Sequence, residues 1–373
     1  MIREVNIAID RGTWPSGIVP RSIGALVGPW SANVLLALLH TAIWTRPPGL
    51  AGFHLSSVWA WLRYGPAIAT SSDLRLCSEW SAIDSHQKAV LSDELGVGFS
   101  TYLLAEKLGI LEFADTNYVV NVLAPHKFAL LPSAKVGPKK SPDYIGRDGH
   151  GAYCVLECKG TQSSIRALNT ALDRGVSQKT NLVPMPRVRL KHSLVVGLFI
   201  PQWTSSESAT IKIVDPDWSD LEEYLSTREP RDVDTSVFQI ALAKELSLAG
   251  LEIAAQYLFG TATEELRQMP PSARAQIEKY ASMAGQTGEI TSAGDPSLVE
   301  TRSIAIERTS LKFRAFVQNS ILEHLHDSTH LNDALADWAE STRASSWQSV
   351  ATDEFAELHA PSTIRYRLDT TNN

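Results

Sequence analysis

The pattern of apolar and polar positions divides the chain into three regions. In the first, apolar residues recur at helical spacing over residues 32–45 and again over residues 56–63, among many tryptophan, glycine and proline residues. Helical spacing returns over residues 85–108 and stops at Gly109, a residue type that commonly ends helices. We therefore predict an aromatic-rich N-terminal accessory region over residues 1–84, followed by a helix that opens the second region.

Short apolar runs dominate the second region. Runs rich in β-branched and aromatic residues predict strands at residues 118–124, 126–132, 142–146, 152–160, 193–201 and 209–216. One helix, predicted over residues 163–182, interrupts them. The order of helix, several strands, helix and two further strands predicts one mixed α/β layer, which we assign to residues 85–216.

Beyond residue 216 the pattern favours helices almost to the end of the chain. Residues 232–260 form the strongest helical segment, and Asp232 can cap its first turn. A stretch rich in glycine, serine and threonine predicts a flexible joint at residues 284–297. We therefore predict a mainly helical C-terminal part over residues 217–373.

Composition excludes a disordered chain and a disulfide-stabilised one. The 373 residues are 44% hydrophobic and 20% charged, which supplies ample apolar surface for a core. Three cysteines without a CxxC pair indicate a reducing cytoplasm. The most membrane-like segment, residues 32–45, contains His40 and is shorter than the roughly 20 residues that span a bilayer. The N-terminus lacks the plan of a signal peptide, so we expect a soluble protein without membrane contact.

Glu157 and Lys159 stand two positions apart on the predicted strand of residues 152–160. Because strand side chains alternate between faces, both project from the same face. The opposite face carries a small apolar row that can pack against a helix, formed by Cys154, Leu156 and Cys158. One face is then available for chemistry while the other belongs to the core. An exposed strand with alternating charge is the alternative interpretation.

Asp143 lies on the preceding predicted strand, and the residues between it and Glu157 include the turn formers Gly146, Asp148, Gly149 and Gly151. A hairpin there brings the two carboxylates together. Carboxylates are suitable ligands for Mg²⁺, which lowers the pKa of a bound water and stabilises charge on a phosphate. An ammonium group such as that of Lys159 can orient the water. The pattern therefore favours a divalent-cation site, and phosphodiester hydrolysis is one reaction that such a site can support.

Pro142-Asp143 followed by Glu157-Cys158-Lys159 resembles the signature of the PD-(D/E)XK nuclease superfamily, whose fold is restriction-endonuclease-like. Members of that superfamily have a core of helix, three strands, helix and a further strand, which matches the predicted order. The resemblance covers residues 85–216. It implies a restriction-endonuclease-like mixed sheet flanked by helices.

The resemblance also implies a role for each matching residue. Asp143 and Glu157, with the backbone carbonyl of Cys158, would bind Mg²⁺, for which Mn²⁺ is expected to substitute. Lys159 would position the attacking water.

Two helical positions complete this expected site. Many superfamily members place an acid on the first core helix, and Glu94 is the best match, with Asp93 as its nearest competitor. Glu94 would complete the metal shell or serve a second ion. Several subfamilies carry glutamine and a basic residue after the catalytic strand, a position that Gln178-Lys179 matches. Gln178 would then assist catalysis by orienting water or phosphate. An ordinary solvated helix face is the alternative.

Charge is unevenly distributed along the chain. The formal net charge is -7, yet eleven basic and four acidic residues between Ser133 and His192 give that segment +7. Such a basic island in an acidic protein predicts a local site for a polyanion. The predicted nucleic-acid contacts are Arg174, Lys179, Arg187, Arg189 and Lys191. For the last three, a charged strand edge that discourages aggregation is an equal alternative.

Two further features have a functional and a structural interpretation. His326 and His330 stand four apart, as zinc ligands on a helix do, beside further polar residues that include Glu323, His324 and Asp327. A surface helix is the favoured interpretation. The N-terminal tryptophans are expected to pack in a core or against a partner rather than stack on bases, and they include Trp30, Trp44, Trp59, Trp61 and Trp80.

These predictions combine into a metal-dependent endonuclease acting on DNA. By analogy with accessory helices of bacterial nucleases, the C-terminal part would form a homo-oligomer or bind a partner protein, as in an effector of restriction or antiphage defence. One alternative is a catalytically silent nucleic-acid-binding or scaffold protein on the same fold. Another is a nuclease that is active only with a partner subunit.

Overall fold

The computed structural model of the protein describes the chain in separate stretches. These are residues 1–14, 17–47, 64–120, 128–130, 141–184, 190–215, 235–261, 275, 297–306, 309–318, 331–342, 345–362 and 364–372. Within them the chain forms three sheets and the helices that pack on them.

The described strands and helices are numbered in chain order. The strands are β1 (Ile2–Ile9), β2 (Gly28–Asn33), β3 (Ile110–Asp115), β4 (Phe128–Leu130), β5 (Tyr144–Asp148), β6 (Tyr153–Thr161), β7 (Leu182–Pro184), β8 (Leu190–Phe199), β9 (Thr210–Val214), β10 (Ser297–Ile306), β11 (Thr309–Gln318), β12 (Gln348–Ala351), β13 (Phe355–His359) and β14 (Arg365–Asn372). The helices are α1 (Arg21–Gly24), α2 (Val34–Trp44), α3 (Ser85–Leu108), α4 (Thr116–Tyr118), α5 (Ile165–Lys179), α6 (Ser236–Leu248), α7 (Glu252–Thr261) and α8 (Leu331–Thr342). Short 3-10 turns lie at Arg11–Thr13 and Ser78–Ala82.

The largest sheet has seven strands in the order β2-β1-β9-β8-β6-β5-β3. Strand β6 lies inside it, antiparallel to β5 and parallel to β8. Strand β1 extends the sheet parallel to β9 and pairs antiparallel with β2. Two of the seven strands therefore come from residues 1–84, the part that the sequence assigns to an accessory region.

Helices cover both faces of this sheet. On one face α3 packs against β6, and Cys154, Leu156 and Cys158 join the main apolar core there. On the other face α5 packs against β6 and β8, where Leu168 and Leu172 contact a separate apolar cluster. The predicted mixed α/β class with a helix-flanked sheet is therefore confirmed.

The predicted helix over residues 85–108 is confirmed with the same bounds, and the side chain of Asp84 caps its first turn. The predicted strand over residues 118–124 is wrong where it is described, because Tyr118 closes a helical turn. On the side away from β6, strand β5 pairs with β3, a strand that the sequence did not predict. Its first five residues are all buried, so the alternation that marks a half-buried strand is missing.

For the described residues beyond 216, the expectation of a mainly helical C-terminal part is wrong. Strands β10 to β14 form a five-stranded antiparallel sheet in the order β10-β11-β14-β13-β12. Buried positions recur at every second residue in Ile364, Tyr366 and Leu368, and also in Phe313, Ala315 and Val317, where Phe316 is buried as well. This period belongs to a sheet with one face in the core. In the described residues of this region, the helices α6, α7 and α8 therefore occur together with a sheet.

Helix α6 contacts both sheets. It packs against β3 of the larger sheet, and its Phe238, Ala241 and Leu242 share the main core with the inner face of the smaller sheet. The hydroxyl of Tyr366 donates to the carbonyl of Glu245 on this helix at 2.9 Å. The C-terminal region is thus packed directly onto the sheet that carries the candidate site.

Three of the tryptophans that the sequence singles out, Trp30, Trp44 and Trp80, are buried, so for these the core interpretation is confirmed. Trp59, Trp61 and the helix predicted over residues 56–63 lie outside the described residues. Among the helices that the structure describes, none has the length and apolar character needed to cross a membrane.

Candidate active site

Asp143, Glu157 and Lys159 meet at one end of the β5–β6 hairpin. The register pairs Tyr144 with Leu156, which sets Asp143 opposite Glu157 one position further along. The backbone N–H of Asp143 donates to Glu157 Oε2 at 3.1 Å. The backbone N–H of Cys158 donates to Asp143 Oδ2 at 2.8 Å, and the Lys159 ammonium pairs with Glu157 Oε1. The structure therefore brings the three predicted groups together.

The side chains of Glu157 and Lys159 face helix α5. A β-carbon at Gly175 would lie 2.6 Å from Val195 Cγ1, 3.2 Å from Glu157 Cγ and 3.3 Å from Lys159 Cε. The absence of a side chain at Gly175 is therefore what lets the helix backbone lie against both functional side chains. Glu157 is fully buried, whereas Lys159 is 20% exposed. The ammonium is thus the member of the pair that is open to solvent.

Helix α3 packs against the opposite face of β6 as closely as α5 packs against the first face. A β-carbon at Gly96 would lie 2.7 Å from the carbonyl oxygen of Lys159, so only glycine permits this approach. Cys158 is buried in the core on that side. The strand that carries the site is consequently held between two helix backbones.

Burial and mutual repulsion perturb both carboxyl groups. Burial raises the pKa of Asp143 above its ordinary value. Burial also raises the pKa of Glu157 to about 8, and the charge of Asp143 adds to this effect. Burial lowers the pKa of Lys159, but the ion pair with Glu157 outweighs it and the net shift is upward. At neutral pH the ammonium is charged, and the carboxyl pair retains a proton unless a cation compensates its charge.

The two acidic candidates on α3 have different electrostatic neighbours. The charge of Asp93 acts on Asp143, and burial raises the pKa of Asp93 while the charge of Lys159 opposes that shift. The charge of Glu94 acts on Tyr144. Asp93, the competitor in the sequence, is therefore coupled electrostatically to Asp143 and Lys159. A metal-binding role for Glu94 stays a prediction.

Asp115 and Lys244 adjoin the site and were missed by the sequence. Asp115 ends β3, and its charge contributes to the raised pKa of Asp143. The Lys244 ammonium lies 2.6 Å from Asp115 Oδ2. Residues 110–114 are apolar except for Glu112, and an acid that follows them is a signal that could have identified Asp115. Lys244, one polar residue in a long helical segment, carries no comparable signal.

Comparison of the chain with known proteins gives no independent identification. No family model, no curated protein and no solved structure matches it. The resemblance to the PD-(D/E)XK superfamily therefore stays a prediction, and the geometry around Asp143, Glu157 and Lys159 carries the functional argument.

The prediction that Lys179 contacts nucleic acid is wrong. Its side chain is fully buried, with Nζ 2.6 Å from Asp215 Oδ1 and donating to the carbonyl of Ser193. Lys179 follows Gly175 by four residues and shares the helix face that packs on the sheet. A buried and paired ammonium on that face cannot reach a phosphate.

The other predicted contacts differ in exposure. Arg174 is exposed and Gln178 is half-buried, one turn beyond Gly175. Lys191 is 40% exposed and lies 2.9 Å from the buried carboxylate of Asp148. Roles for these residues stay predictions. The remaining candidates lie outside the described residues, namely Arg187, Arg189 and the cluster of Glu323, His324, His326, Asp327 and His330.

Proposed function

We propose that this chain is a metal-dependent nuclease of the PD-(D/E)XK type that hydrolyses phosphodiester bonds, with DNA as the expected substrate. The observation that supports this most is the convergence of Asp143, Glu157 and Lys159 at the end of one hairpin. Two carboxylates and one ammonium, separated along the chain but adjacent in the fold, are the minimal set for this chemistry.

The donor set suits a hard divalent cation. Asp143 and Glu157 provide carboxylate oxygens, and each hydrogen-bonded carboxylate oxygen keeps a further lone pair for a metal. The N–H of Cys158 points to Asp143, so its carbonyl leaves the strand on the same edge. Within the described stretches, no group of three or more His, Cys, Asp and Glu side chains could hold a metal. The proposed site therefore offers two carboxylate side chains, and Mg²⁺ can be bound through so few protein ligands because it retains several of its own waters.

The raised pKa values of the two carboxyl groups support the same assignment. Two buried acids that repel each other are costly in isolation and are stabilised by a cation between them. The residues present therefore fit Mg²⁺, and Mn²⁺ is expected to replace it.

Each residue would have a distinct task during hydrolysis. A bound divalent ion supplies Lewis-acid stabilisation of the phosphate and lowers the pKa of a water molecule. Asp143 and Glu157 would hold such an ion, and the backbone N–H groups of Asp143 and Cys158 fix the orientation of the two carboxylates. Lys159 is partly exposed beside Glu157, and its ammonium would donate to the attacking water or to a phosphate oxygen.

A plasmid-cleavage assay tests this function. The full chain is incubated with supercoiled DNA in Mg²⁺, in Mn²⁺ and in EDTA, and Mn²⁺ binding is measured separately. We expect cleavage only with metal. Lys159→Ala should abolish cleavage while Mn²⁺ and DNA binding remain, because the carboxylates and the fold are unchanged. Lys107→Ala, which alters an exposed lysine at the far end of α3, is the control and should cut normally.

Three outcomes separate the candidate functions. Cleavage by Lys159→Ala at the wild-type rate would exclude this site. DNA binding by the wild type without cleavage in any metal would favour the silent scaffold. If activity appears only in a larger assembly or after addition of neighbouring gene products, the partner-dependent nuclease is supported.

A further inference from the structure

A fully buried lysine on helix α6 reaches the sheet beside the candidate site. Lys244 has no exposed surface, and its Nζ lies 2.6 Å from Asp115 Oδ2. The same ammonium donates to the carbonyl of Trp44, at the end of α2, at 2.7 Å. A buried ammonium is stable only when it is paired and hydrogen-bonded, and Lys244 meets both conditions.

Tyr144 belongs to the same arrangement. The Lys244 ammonium lies 5.1 Å from the centre of the Tyr144 ring, within the range of a cation–π contact. The Tyr144 hydroxyl donates to the same carbonyl of Trp44 at 2.9 Å. One lysine and one carbonyl oxygen therefore hold the aromatic residue that directly follows Asp143.

Asp115 and Tyr144 are also partners in the sheet. The β3–β5 register pairs Asp115 with Tyr144. The next residue, Thr116, donates its backbone N–H to the carbonyl of Asp143 at 3.1 Å. The backbone at Asp143 is thus fixed by Thr116 and Tyr144. Lys244 contacts the Tyr144 ring directly, and it contacts Asp115, the residue before Thr116.

From these contacts we propose that Lys244 is a positioning residue for the site, which holds Asp143 in place through Asp115 and Tyr144. The inference rests on the proposed function, since it assigns Asp143 to metal binding. It makes α6 part of the site although α6 lies outside residues 85–216. Lys244 touches neither substrate nor metal in this proposal, and it acts only through the ends of β3 and β5.

The experiment uses the full chain with Lys244→Met, Asp115→Asn and the double variant. Leu246→Ala is the matched control, because Leu246 is fully buried on the same helix and its truncation loosens α6 without breaking the ion pair. The Mn²⁺ dissociation constant is measured by electron paramagnetic resonance of free Mn²⁺. Hydrogen exchange is followed at the amides of Thr116 and Cys158, since both donate to Asp143. Neither readout requires DNA cleavage.

We expect Lys244→Met to weaken Mn²⁺ binding about tenfold or more, the range typical of residues that orient metal ligands. Exchange at both amides should become faster. Asp115→Asn should have the same effects, and the double variant should add no further loss, because the two residues act as one unit. Leu246→Ala should leave Mn²⁺ affinity and these two amides close to wild type.

Equal losses in Leu246→Ala and Lys244→Met would overturn the proposal, since a general loosening of α6 would then explain both. Losses that multiply in the double variant would show that Lys244 does not act through Asp115. A wild-type chain that binds no Mn²⁺ would refute the proposed function instead. In that case exchange at Thr116 and Cys158 still decides whether Lys244 positions Asp143.

Discussion

The packing of α5 on the site makes Gly175→Ala the sharpest single test of the geometry. The new β-carbon would lie 2.6 Å from Val195 Cγ1, whereas non-bonded carbons are normally separated by about 3.5–4.0 Å. Val195 is fully buried, and a β-branched side chain has little rotamer freedom with which to move aside. The helix must therefore retreat from β8, and with it from the neighbouring β6, by about 1 Å.

Two opposing contributions set the change in stability. Overpacking of this kind costs about 1–3 kcal/mol, while replacing glycine by alanine within a helix contributes about 1 kcal/mol of stability. The net loss in the free energy of unfolding should therefore be about 0–2 kcal/mol. The catalytic effect should be much larger, because a displacement of about 1 Å at positioned groups reduces rates by about 100-fold.

Cleavage rate and thermal unfolding are measured on the same preparations. Ser177→Ala, at an exposed position of the same helix, controls for helix propensity and should cut normally. The double variant Gly175→Ala with Val195→Ala removes the obstructing methyl group and should recover a large part of the lost rate. A Gly175→Ala protein that is more stable than wild type and cuts equally fast would refute the reasoning.

Two further predictions concern pH. Because the pKa of Glu157 is raised to about 8, metal binding should displace a proton, and Mn²⁺ affinity should increase by up to about tenfold per pH unit from pH 6 to 8 and then level off. Calorimetry in buffers of different ionisation enthalpy measures the released proton. A Mn²⁺ affinity that does not depend on pH would contradict this prediction. Burial also raises the pKa of Glu245 to about 8, so the folded protein keeps the Glu245 proton up to a higher pH than the unfolded chain does. The contribution of this protonated carboxyl group to the free energy of unfolding is complete below about pH 4.5 and is lost as the pH rises through 8. Glu245→Gln should match wild type near pH 5 and exceed it by about 3–5 kcal/mol near pH 9 in urea unfolding; equal stabilities at both pH values would contradict the assigned shift.

Several features of the site were predictable because they depend on local periodicity. Alternation along residues 152–160 places Glu157 and Lys159 on one face and the cysteines on the other, and the structure agrees. The turn-forming residues between Asp143 and Glu157 predict a hairpin, which the β5–β6 register contains. Both predictions need only the strand period of two and the chemistry of turns.

Other features depend on which elements pack together, and local pattern carries little information about that. Lys179 has the sequence context of a solvated helix, yet α5 turns it toward the sheet and Asp215. Strand β3 lacks alternation because both of its faces are buried. In the C-terminal region, Phe313, Ala315 and Val317 follow a period of two, but Phe316 between them is also apolar and buried, so the local pattern does not single out one strand face.

By itself, the sequence determined the α/β character, the helix over residues 85–108 and the adjacency of the two carboxylates with one ammonium, since each follows from spacing within a few tens of residues. Tertiary structure alone decided that Lys244 reaches Asp115 from a helix about a hundred residues beyond the motif. It also decided that Gly175 must lack a side chain. Contacts between distant segments depend on how whole faces pack, and the residues of one segment do not specify the surface that will cover them.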